Sequence, residues 1–133
     1  MLSLPHGRVL LVVGWLLVLL TVAGSLLPTL PKVSGVPGDK VLHFVAYFGM
    51  TIWFAGLYPL RRLWIIAGGF VLLGGLLEIL QGALLPHREI SGYDFLANSA
   101  GIASACLLAV IGLSRWAVRL EAWVTRRAVV NRP

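Results

Sequence analysis

Charge is scarce in this chain. Only 12% of its 133 residues are Asp, Glu, Lys or Arg, and just five of them are acidic. A soluble domain carries about 25% charge and about 45–50% apolar residues. Here the apolar fraction is 59% and the mean hydropathy is +0.91. That balance excludes a molecule wetted on all sides. Cysteine is nearly missing as well. A lone Cys106 excludes an intrachain disulfide and a cysteine-based metal site, and its place inside a hydrophobic run suits small apolar packing. The basic excess of +6 is no nucleic-acid footprint. Such binders show a basic patch on a water-soluble fold, whereas these Lys and Arg residues fall in the gaps between hydrophobic runs.

What the chain has instead is long apolar stretches. They cover Val9–Leu27, Val41–Leu57, Leu63–Leu85 and Tyr93–Leu113. A helix crosses the hydrocarbon core with about 20 residues, in a range of about 17–25. Backbone inside lipid must satisfy its own hydrogen bonds, so these runs are expected to be helices. The first run exceeds the about 7–15 apolar residues of a signal peptide, so it is expected to persist as helix 1. The prediction is an all-α membrane protein with four transmembrane helices over residues 1–113. Residues 114–133 form a basic tail. Within that tail, Ser114–Val130 reads as an amphipathic surface helix: Arg115, Arg119 and Arg126 fall on one side, and Trp116, Leu120, Trp123 and Val124 mostly on the other.

Turn chemistry marks the joints. Pro28–Lys40 holds three prolines and two glycines, Pro59 opens a short turn, and Pro86 ends helix 3. Asp39 stands as N-cap of helix 2. Ser91-x-x-Asp94 is a start signal for helix 4, with Ser91 a cap rather than a nucleophile. The glycines of helix 3, among them Gly68, Gly69, Gly74, Gly75 and Gly82, predict that it is the central helix. Ala97, Gly101 and Ala105 predict a close packing face on helix 4. Trp64 and Tyr58 read as interface anchors.

Basic residues also predict orientation. With both termini cytoplasmic, eight Lys and Arg residues lie inside and three, Lys32, Lys40 and Arg88, lie outside. The expected location is the cytoplasmic (inner) membrane.

Polar residues inside lipid are costly and are normally functional. Asp39, His43 and Tyr47 share a face of helix 2, Glu78 and Gln81 a face of helix 3, and Asp94 and Asn98 a face of helix 4. In an up-and-down bundle these faces meet at the outer end. They predict one outward-facing pocket, with Lys40 and Arg88 at its rim and two helix N-termini that favour anions. Such walls suit the head group of a phosphate-bearing lipid. Glu78, Asp94 and His43 are the acid–base candidates. Lys40, Arg88, Gln81, Asn98, Asp39 and Tyr47 are the substrate-binding candidates. No cofactor is expected. A metal held by His43, Glu78 and Asp94 is the weaker reading, since one histidine with scattered acids is a poor ligand set.

The pattern Glu78-x-x-Gln81-x4-Pro86-x-Arg88-x-x-Ser91-x-x-Asp94-x3-Asn98-x-x-Gly101, with Asp39-Lys40-x-x-His43-Phe44-x-x-Tyr47 upstream, resembles the VanZ-like family. The family is named for a protein linked to resistance to the glycopeptide teicoplanin. The resemblance implies a small multi-pass protein of the cell envelope. It does not imply a reaction. Three readings follow: binding or modification of an envelope lipid such as a polyprenyl phosphate or a glycolipid; proton-coupled transport or lipid flipping; and an interaction subunit with a structural polar core. The oligomeric state stays open.

Overall fold

The computed structural model describes residues 7–27, 38–85 and 90–130. Those residues form α1 (Gly7–Leu26), α2 (Gly38–Leu57), α3 (Leu60–Leu84), α4 (Gly92–Leu108) and α5 (Trp116–Val130); a π-helical turn, Ala109–Leu113, extends α4. The first four helices, with that extension, are long and apolar enough to cross a membrane. This is a multi-pass membrane protein, as the run lengths predict. Many large apolar side chains face outward, such as Leu72, Ile65 and Ile111. No soluble monomer presents such faces in quantity, and lipid is the solvent that accepts them.

Contacts between helix ends establish an up-and-down bundle. The end of α3 meets the end of α1, since Gln81 reaches the Ser25 carbonyl. The starts of α2 and α4 meet through His43 and Asn98. At the opposite pole the Trp53 indole of α2 donates to the carbonyl of Leu10 in α1. Arg61, Arg62, Arg115 and Arg119 all belong to that second pole.

The centre of the bundle is α2 rather than the glycine-rich α3. It packs against α1, α3, α4 and α5 alike. Its tightest partner is α4, and Gly101 is the reason. A Cβ built there would collide with the carbonyl oxygen of Phe44 and lie 3.0 Å from the backbone nitrogen of Phe48. The small-residue face Ala97–Gly101–Ala105 thus lets two backbones touch, as membrane helices do when lipid supplies no hydrophobic drive between them. In α3 only some glycines act this way: Gly68 and Gly69 face open space, whereas Gly74 lies against Tyr47 and Asn98. The core gathers Tyr47, Met50 and Phe54 of α2 with Phe70, Ile102 and Cys106.

Proline chemistry explains how the C-terminal helix docks. The Ala55 carbonyl would normally accept from the residue four positions on, but that is Pro59, which has no N–H. The Arg115 N–H fills the vacancy at 2.6 Å. Arg115 adopts the left-handed region, φ 59°, just after Gly112 at φ 137°. The chain turns there, and Trp116 then lies over Gly56 and donates to the Ile52 carbonyl at 3.0 Å. On α5 Ala117 is buried, and Leu120, Trp123 and Val124 are exposed.

Candidate functional site

Four polar residues of the α3 and α4 pattern are buried. Glu78, Gln81, Asp94 and Asn98 are each no more than 4% exposed. Asp94 and Asn98 meet His43 of α2, while Glu78 and Gln81 turn to Ser91 and Ser25. Of these residues, all expected to line one pocket, only His43 lines the cavity between α1 and α2. The details of who touches whom were not legible from spacing.

Glu78 serves the start of α4. Ser91 is the N-cap of that helix, and its hydroxyl accepts from the Asp94 N–H at 3.3 Å. In a capping box the residue at the third helical position reaches back to the N–H of the cap. Asp94 holds that position but does not perform the task. The Glu78 carboxylate, arriving from α3, accepts the Ser91 N–H instead. Gly82, one turn further along α3, makes this possible. Any side chain there would meet Ile90, whose backbone nitrogen lies 3.3 Å from the Cβ position. Ile90 therefore lies close against α3, beside the point where Ser91 meets Glu78. A carboxylate at this spot is also favoured by the positive pole of the α4 dipole.

Asp94 is thereby released to face His43. Its Oδ2 lies 3.9 Å from Nε2 of the imidazole. On the other side of the ring, Nδ1 lies 3.1 Å from Oδ1 of Asn98. An amide oxygen only accepts, so this bond places a proton on Nδ1. Nε2 is then the atom turned toward Asp94. An imidazole oriented by one polar group and facing a carboxylate is the arrangement of a general acid–base. Asn98 is itself seated by Gly74: a Cβ there would lie 3.3 Å from both Asn98 Nδ2 and Tyr47 Oη.

Gln81 plays a different part from the substrate contact expected of it. Its amide donates to the Ser25 carbonyl at 2.7 Å, and Ser25 lies in the last turn of α1. Helix ends leave carbonyls without intrahelical donors, so Gln81 caps α1 from a neighbouring helix. Its Oε1 is buried and finds no hydrogen-bond partner among the described residues, and the same is true of the Tyr47 hydroxyl. Gln81→Leu is expected to lower stability by about 1 kcal/mol, the order found for interhelical hydrogen bonds in membranes. Thermal unfolding in detergent reads this directly. Tyr47, expected to bind substrate, is 1% exposed and belongs to the core.

Lys40 is exposed, with Nζ 5.7 Å from the centre of the Tyr93 ring. Arg88 and the side chain of Asp39 lie outside the described residues. Of the two helix N-termini expected to attract an anion, that of α4 is taken by Glu78. A metal held by His43, Glu78 and Asp94 does not fit, because among the described residues no three such side chains gather as ligands.

Sequence reasoning missed Ser25 and Gly74. Ser25 had a signal, as a polar residue in the last turn before Pro28. Gly74 had one too, four residues before Glu78 on the same face. Compared with known proteins, the chain matches no family model, no curated protein and no solved structure.

Proposed function

We propose that this chain is a VanZ-like protein of the cell envelope whose polar pole, turned to the outer side, binds or modifies the head group of a phosphate-bearing lipid. The observation that carries this reading is the imidazole of His43, held at Nδ1 by Asn98 and turned at Nε2 toward Asp94. A buried carboxylate at membrane depth is costly unless it serves a purpose, and no basic side chain of Lys or Arg is described beside this one. Its partner is an imidazole, a side chain that serves as a general acid or base. A lipid hydroxyl or acidic phosphate reaching Nε2 gives up its proton there, and Asp94 stabilises the imidazolium that forms. Lys40 at the rim and the N-terminus of α2 supply the anion-favouring wall. Glu78 acts as a positioning residue, because its cap on Ser91 leaves Asp94 available to His43. The arginine-rich pole is cytoplasmic in this reading, and the apolar side of α5 lies in the inner membrane surface.

The test is paired substitution. His43→Ala and Asp94→Asn, produced at wild-type abundance in a bacterial host, are expected to abolish any change in teicoplanin susceptibility or envelope lipid composition that the wild-type chain confers. If the step is acid–base catalysis, the loss is about 10²–10⁴-fold in rate. Retention of the phenotype by both variants sinks the site and leaves the polar core structural. Loss on collapse of the proton gradient, with the residues intact, moves the reading to proton-coupled transport.

A further inference from the structure

Between α1 and α2 lies a cavity of about 800 Å³. The two helices are pressed together at one level, where Gly14 meets Trp53 and Phe54. The walls come from Leu17, Leu20 and Gly24 on α1 and from Val45 and Gly49 on α2, almost all of them apolar. Trp53 lines the cavity toward the end of α2, and His43 and Ser25 line it toward the start of α2 and the end of α1.

Those last two residues matter because both belong to the polar cluster. His43 lines this cavity and is also the residue whose ring nitrogens lie near Asn98 and Asp94. Ser25 lines the cavity and holds Gln81 through its carbonyl. The apolar groove and the acid–base pair therefore share a wall. The groove's depth is also informative. From Leu42 to Trp53 is eleven residues of rise, about 16 Å. The hydrocarbon core is about 30 Å thick, so one leaflet is about 15 Å. A spanning helix from another protein or a second copy needs the full thickness, whereas a hydrocarbon chain of one leaflet matches this depth.

We propose that the α1–α2 groove holds one hydrocarbon chain of a membrane lipid from the leaflet at the His43 end, and that this seating brings the lipid's polar group to His43. The proposal deepens the function given above and rests on it for the chemistry at His43. The seating of the chain stands on the groove alone. It narrows the ligand class to lipids whose reacting oxygen lies close to the top of a chain. A water-soluble phosphate would have no use for the groove.

Two glycines make the test clean. Gly24 and Gly49 line the groove, and a Cβ at either meets nothing within 4 Å. Leucine fits at both, and leucine is also the better helix former. Gly69 on α3 is equally open but outside the groove. The full chain is placed in phosphatidylglycerol vesicles doped with a phosphatidylglycerol whose acyl chain carries a diazirine, irradiated, and mapped by peptide mass spectrometry. Adducts are expected to concentrate on residues 17–25 and 42–53. Gly24→Leu and Gly49→Leu are expected to reduce them about tenfold, a difference of about 1.4 kcal/mol, while Gly69→Leu leaves them unchanged. Thermal melts confirm that all three variants fold.

Labelling spread evenly over the four helices, or insensitive to both groove substitutions, overturns the proposal. So do adducts that fall mainly outside residues 17–25 and 42–53. The two readings fail separately. Groove adducts that persist while His43→Ala and Asp94→Asn keep the phenotype leave the chain site standing and remove the acid–base role. Loss of the phenotype in those variants without groove labelling does the reverse.

Discussion

Gly101→Leu is expected to prevent the bundle from forming. The α2–α4 contact is backbone against backbone: the Cβ position of Gly101 is occupied by the Phe44 carbonyl oxygen, with the Phe48 nitrogen 3.0 Å away. A flexible side chain can swing aside, but helical backbone cannot. Overpacking a well-filled core costs about 1–3 kcal/mol, and here the two helices must separate along their length. A loss of about 3 kcal/mol or more is expected. It should appear as loss of the monodisperse peak on size exclusion and of any cooperative melt. Gly69→Leu is the matched control, since its Cβ meets nothing within 4 Å. If Gly101→Leu melts like the wild type, the helices do not pack on this face. The same substitution also tests the polar pole, because Phe44 follows His43 and Asn98 lies one turn before Gly101. Any separation of α2 from α4 pulls the imidazole from its partners.

The second large effect concerns Glu78 and is a contrast between two substitutions. Glu78→Gln keeps an oxygen that can accept the Ser91 N–H, so stability is expected to fall by less than about 1 kcal/mol. Glu78→Ala leaves a buried N–H unsatisfied and a void behind it. Together these cost about 2–4 kcal/mol. Unfolding in detergent measures both. Envelope phenotype separates the roles further. A positioning residue is rescued by glutamine, so Glu78→Gln is expected to retain function while Asp94→Asn loses it. Equal loss in the two variants would make Glu78 a proton carrier in its own right and overturn its reading as a cap.

The run lengths carried most of the fold. The four apolar runs became four helices with ends within a few residues of Val9, Val41, Leu63 and Tyr93, because lipid leaves a spanning backbone no other way to satisfy its hydrogen bonds. That His43, Glu78, Asp94 and Asn98 lie on polar faces was also legible. Spacings of three and four put each set on one face, and charge in lipid turns inward. Ser91 as a cap could be read from S-x-x-D alone.

The identity of the partners was not legible. The sequence pairs Ser91 with Asp94 as a local box, yet the structure brings Glu78 from α3 to the cap and turns Asp94 to His43. Gln81 shares a face with Glu78 but reaches a carbonyl of α1, 56 positions away in the chain. The central role of α2 was hidden too, since α3 has the more conspicuous glycines. A glycine in a sequence shows that a close approach is allowed, and only packing shows whether another helix takes it. Gly68 and Gly69 are open and Gly101 is filled.

By itself, then, the sequence determined that four helices are long and apolar enough to cross a membrane, and which of their faces are polar. These follow from hydrophobic length, helical period and the cost of charge in lipid, all of which act locally along the chain. Only the tertiary structure decided which carboxylate caps a helix and which faces the imidazole, and that a cavity lies between α1 and α2. Those outcomes depend on how each helix is rotated and how closely it approaches its neighbour. Residues far apart in sequence set both, such as Gly101 against Phe44 and Gly14 against Trp53.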